Sequence, residues 1–220
     1  MPQTWTALPE LPVLQPQLPV EPLDVLRQAA AQERAAMLSL SRGGLNVVGE
    51  ILKGQGTFYE MNHYPDEDVF DHQSHSQYYY HAHREDEHGH FHTFIRHPAI
   101  PPQTRPAAGF QRSEPGPQGE NALAHLICIS MDADGLPKGL FATNRWVTDE
   151  AWYSAEDTIS FMDRFRVEHA SPNLAVNQWL TSFMRLCRPH IELLLRHRDL
   201  VVDAWQKKHP DRDVLEDRSL

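Results

Sequence analysis

The residues best equipped for chemistry lie between Tyr78 and Phe94, in YYYHAHREDEHGHFHTF, where five of the fourteen histidines fall within twelve residues. Neutral imidazole is a ligand for Zn, Cu, Fe or Ni, so the spacing of these rings decides what the stretch could hold. Side chains alternate faces along a strand, which groups Tyr79, His81 and His83 in one arm of a hairpin and His88, His90 and His92 in the other. A two-residue loop at Glu85-Asp86 would oppose His83 with His88, His81 with His90 and Tyr79 with His92. A four-residue loop, Glu85 to His88, would pair His83 with His90 and His81 with His92. Either even loop gathers the imidazoles on one face, whereas an odd loop scatters them. The apolar content of the opposite face, Tyr78, Tyr80, Phe91 and Ile95, supports an even register.

Opposed β-carbons about 5 Å apart let imidazoles converge on one ion at metal to nitrogen distances near 2 Å. The metal-ligand candidates are therefore His81, His83, His88, His90 and His92, with His88 the one that could fall in the turn. Glu85, Asp86 and Glu87 could supply an oxygen ligand or fix a histidine tautomer. Glu87 and Tyr79 are the candidates for a catalytic part, Tyr79 as a proton or hydrogen-bond donor. His63, His72, His75 and His125 could complete the site, while His169, His190, His197 and His209 fall in helical stretches and read as structural or exposed. The same hairpin could instead be a solvated, merely polar ribbon.

The elements that must hold this hairpin follow from patterning. Residues 1–22, with six prolines, form an extended arm able to lie on the body or on a neighbouring subunit. From Pro22, apolar residues at helical spacing run to Gly43-Gly44, and LNVVGEILKGQG gives a shorter helix. TFYEMNHYPDEDVFDHQSHSQ reads as an irregular, potentially functional loop. The prolines and glycines of 97–120 preclude a regular element and leave a surface crossover or a flap. ALAHLICISM and GLFATNRWV read as a second hairpin about a plain turn at Asp132 to Gly135. After Thr148 come helices opened by Ser154 and broken at Pro172 and Pro189, then a frayed tail over 211–220. The expectation is one α+β domain over 23–210: an antiparallel sheet with a His-rich hairpin, flanked by N-terminal helices and a C-terminal helical segment.

Composition narrows the function. A formal net charge of −10 disfavours nucleic acid and anionic membranes as partners. No apolar run has the length of a membrane span, and the N-terminus does not read as a secretory signal, so the cytoplasm is the expected location. Cys128 and Cys187 form no CxxC pair and read as buried, inert thiols. Serine-hydrolase, zincin, dinucleotide and P-loop signatures are lacking.

His81-Ala-His83 with Glu87 resembles the first metal motif of cupins, which implies a metal held inside a small β-barrel. The later cupin motif has no counterpart after residue 97. The region from HYPDEDVFD through the hairpin to LFATNRWVTDEAWY resembles bacterial proteins of an uncharacterised domain family, a likeness that brings no activity with it. The resulting expectation is a metal-dependent enzyme, a non-haem iron or copper oxidoreductase acting on a small molecule, with zinc as a further option and haem ranked below. The alternative is a non-catalytic protein that binds or senses metal or haem.

Overall fold

The computed structural model describes residues 10, 22–108, 119 and 122–220. The extended arm expected over 1–22 lies outside these residues apart from Glu10 and Pro22, as does any subunit contact it would make. So do 109–118, 120 and 121 of the Pro-rich crossover or flap.

Five strands form one antiparallel sheet in sequence order: β1 Tyr64–Phe70, β2 Ser76–His81, β3 Gly89–Arg96, β4 Leu123–Met131 and β5 Pro137–Phe141. β1 and β5 are its edges, and no pairing between them closes the sheet among the described residues, so the small barrel implied by the cupin resemblance is not the architecture. Helices lie on both sides of the sheet, which gives the expected α+β class.

The helices form where spacing and capping require them. α1 (Leu23–Arg42) starts after Pro22 and stops at Gly43-Gly44, where Gly44 has φ +69°. α2 (Val47–Leu52) begins when the Asn46 side chain accepts the Gly49 amide. α3 (Arg145–Thr148) replaces the last part of the strand expected through GLFATNRWV, with Asn144 as its N-cap. α4 (Ala155–Phe161) uses the Ser154 cap, and α5 (Leu174–Leu186) is capped by Asn173. α6 (Arg188–Lys208) carries Pro189 in its first turn, where the missing amide costs nothing.

One face of the sheet carries the main core. Tyr78, Tyr80, Phe91, Ile95, Ile127 and Ile129 are buried in the same apolar cluster as Trp179, Leu180 and Phe183 of α5. The Tyr78 hydroxyl donates to Asn177 Oδ1 at 2.5 Å and the Phe91 ring meets Trp179, which fixes β2 and β3 to α5. This is the apolar face that the even hairpin register requires.

Two expectations are corrected. The segment expected to be an irregular loop contains β1, an edge strand whose outer residues Asp66, Glu67 and Asp68 mask its β pattern and whose register shifts between Tyr64 and Val69. The C-terminal residues are not frayed: Val214 and Leu215 are fully buried beside Trp152 and Trp205, and the buried Arg145 guanidinium pairs with Asp213 and Glu216. No helix of the described residues is long and apolar enough to cross a membrane.

Candidate metal centre

Pairing of β2 with β3 sets His81 opposite His90, Tyr80 opposite Phe91 and Tyr79 opposite His92. That is the even register of the shorter loop, although strand pairing stops at His81 and His90 and the connection spans residues 82–88. The face opposite the core therefore receives Tyr79, His81, His90 and His92 together. Gly89 makes the close approach possible, since a β-carbon there would lie 2.6 Å from the His81 carbonyl oxygen and 2.6 Å from the Tyr80 hydroxyl.

Three imidazole nitrogens converge. His81 Nε2 lies 2.9 Å from His90 Nε2 and 3.0 Å from His92 Nε2, and the last two are 3.1 Å apart. His90 and His92 are fully buried, and His81 is 5% exposed. His83 joins the same potential ligand group from the exposed rim, its ring centroid 4.8 Å from His81 and 4.9 Å from His90.

The surroundings settle what these nitrogens offer. Glu87, buried in the connecting turn, lies 2.5 Å from His90 Nδ1, so that nitrogen donates its proton to the carboxylate and Nε2 keeps its lone pair toward the cluster. Burial and the neighbouring rings push His81 down to about 3, and burial pushes His90 down to about 4 against the pull of Glu87. His92 is likewise held well below the ordinary histidine value by burial and by His125, His90 and His81. At neutral pH all three rings are uncharged. The one proton available to this triangle is that of His81, whose Nδ1 is buried without a hydrogen-bond partner, and on Nε2 it can be shared with His90 or His92. A cation held by all three Nε2 lone pairs would satisfy the group more fully.

The other expected residues divide. His88 is not brought to this group: its Nδ1 pairs with the Tyr80 hydroxyl at 2.8 Å and its ring stacks on Phe58, because the strand ends before it. Tyr79 stacks on His92 at 4.9 Å between centroids and beneath His63 at 3.6 Å, and burial raises its hydroxyl pKa. His63 pairs with Asp68, which also accepts from Gln77. Glu85 and Asp86 stay exposed in the turn, while His72 and His75 sit at the opposite end of β2.

The sequence concealed a second group on this face. His92 Nδ1 is 3.2 Å from His125 Nε2 and 3.3 Å from Cys128 Sγ, and Cys128 Sγ is 3.4 Å from His125 Nε2. His125 and Cys128 are three residues apart and would face opposite ways on a regular strand. Cys128 stands directly opposite His92, and a bulge at Leu126, between the pairs Phe94–His125 and Thr93–Ile127, turns His125 onto the same face. Buried Glu150 accepts the His125 amide at 2.7 Å and holds this strand position; its own carboxyl is raised to about 7 by burial. HxxC on an apolar strand was the only available signal, and it is a weak one.

A cavity of about 600 Å³ adjoins the cluster, with His83, Arg84, Phe141 and Thr143 on the near wall and Trp152 and Val202 among the lining residues. Phe141 meets the His90 ring edge-on and carries the Arg84 guanidinium at 3.8 Å. A second cleft, about 860 Å³, lies at the β1–β2 end of the sheet beside His72 and His169.

Neither curated proteins nor solved structures give a significant match to this chain. A family model does match, over residues 27–220. The chain belongs to the domain-of-unknown-function family DUF6969.

Proposed function

We propose that this protein is a metal-dependent enzyme in which His81, His90 and His92 grip one transition-metal ion beside a small-molecule cavity, with iron or copper as the metal and redox chemistry as the reaction class. The observation that carries the reading is the triangle of Nε2 atoms with edges of 2.9, 3.0 and 3.1 Å. Edges near 3 Å subtend about 90° at an ion held about 2.1 Å from each nitrogen, whereas a tetrahedral ion would need edges of about 3.4 Å. Three cis imidazoles suit an ion with further positions open to substrate more than a closed structural zinc.

The chain's own residues have definite parts in this reading. Glu87 accepts the His90 Nδ1 proton and orients that ring. His125 takes the corresponding position at His92 Nδ1. Tyr79 packs its ring over His92 and against the edge of His81. Arg84 and the apolar walls of the cavity receive a small organic substrate.

A second reading, metal storage or sensing without turnover, draws on His83, whose ring is close enough to close the coordination set. Untagged protein assayed for elements tests the first claim. Iron or copper should be present, and His81→Ala with His90→Ala should remove at least one equivalent. Absence of metal, or unchanged content and affinity in that variant, refutes it. Binding of azide or nitric oxide to the loaded protein separates the open site from the closed one.

A further inference from the structure

Only one nitrogen of His92, Nε2, faces the first cluster. The other points into a compact, dry group of different chemistry: His92 Nδ1, His125 Nε2 and Cys128 Sγ form a triangle with edges of 3.2, 3.3 and 3.4 Å. His92 and Cys128 are fully buried and His125 is 3% exposed. We propose that these three residues form a second metal site, for a thiophilic cation such as copper(I) or zinc, joined to the first through the His92 ring.

Ligand type and spacing carry this. Two imidazoles and a thiolate are the donor set that selects soft cations over hard ones. With metal to nitrogen bonds of about 2.0 Å and a metal to sulfur bond of about 2.3 Å, edges of this length subtend roughly 100° at an ion, within the range such sites adopt. The bulge at Leu126 is what gives β4 two ligands on one face, and Glu150 and Thr143 hold His125 from the amide and ring sides. The surrounding burial disfavours an uncompensated thiolate, so the Cys128 proton leaves only as a cation arrives. His92 presents Nε2 to the first group and Nδ1 to the second, so it would have to give up its remaining ring proton to solvent to serve both. Cys187, in the turn between α5 and α6, takes no part.

The inference rests on the proposed role of His92 but is tested separately. Metal-free, reduced protein is titrated anaerobically with cobalt(II), used as a spectroscopic probe, and then with zinc and copper(I). Two equivalents should bind, one of them with a thiolate-to-cobalt charge-transfer band in the near ultraviolet. That band should persist in Cys187→Ser and in the His81→Ala, His90→Ala variant, which retains one equivalent, and vanish in Cys128→Ser and His125→Gln. Saturation at one equivalent without the band, lost in the His81, His90 variant, would leave the Proposed function standing and overturn this one. A band unaffected by Cys128→Ser in folded protein also overturns it. A band surviving in the His81, His90 variant with no change in stoichiometry would instead overturn the first site and uphold the second.

Discussion

Acidification should unfold the metal-free protein well above the pH at which carboxylates titrate. His81 and His90, held down to about 3 and about 4 by burial, refuse protons that an unfolded histidine takes up near 6.5. The unfolded state therefore binds more protons below pH 6.5, and stability falls with pH from there toward the folded values. At about 1.4 kcal/mol per pH unit per group, two such histidines cost on the order of 5 kcal/mol between roughly pH 6.5 and 4.5. That is comparable with the whole stability of a typical domain, about 5–15 kcal/mol. His92 and His125 act in the same direction, while the buried Glu150 carboxyl, raised to about 7, takes up its proton in the folded state and offsets part of the loss. Denaturant titrations of chelator-treated protein across this range measure the slope directly. The His81→Gln, His90→Gln variant should show a flatter profile, and added metal should move the wild-type loss to lower pH. A wild-type stability that changes by less than about 1 kcal/mol over these two units would refute the account of a buried, uncharged cluster.

Three further outcomes follow from the same contacts. Glu87→Ala, which removes the acceptor 2.5 Å from His90 Nδ1, should weaken metal binding by about 10–100-fold in chelator competition, with Glu87→Gln closer to wild type because it retains an acceptor. Gly89→Ala should cost about 1–3 kcal/mol in thermal or denaturant unfolding and lower metal affinity too, since its methyl group would press on the His81 carbonyl and the Tyr80 hydroxyl. Arg145→Met should lower stability by about 3 kcal/mol, leaving Asp213 and Glu216 without their guanidinium, and should release the C-terminal turn to proteolysis.

The hairpin was legible because a period of two is strict: once the apolar residues of Tyr80 and Phe91 choose the core, His81, His90 and His92 must share the other face. Its end was not legible, because His88 is excluded by where pairing stops rather than by parity. β1 escaped because an edge strand with Asp66, Glu67 and Asp68 looks like loop, and Asp68 takes a positive φ of 56° that no propensity announces. The pairing of His125 with Cys128 escaped for a related reason: Cys128 stands directly opposite His92, but His125 reaches the same face only through the bulge at Leu126. The C-terminal turn escaped because its anchor, Arg145, lies far away in the chain.

That bulge reverses the usual arithmetic of insertions and deletions. In an ordinary strand, loss of one codon inverts the outlook of every residue on one side of the cut. β4 already contains the supernumerary residue, Leu126. Its deletion would bring His125 and Cys128 two positions apart, restore simple alternation and leave both pointing toward His92. Leu126 is fully buried in the main apolar cluster, so the extra residue adds a side chain to the core without removing one from the ligand-bearing face. Deletion in the first turn of the hairpin has no such protection: removing any one residue between Ala82 and His88 must be absorbed by the turn itself, or the His81–His90 pair is lost.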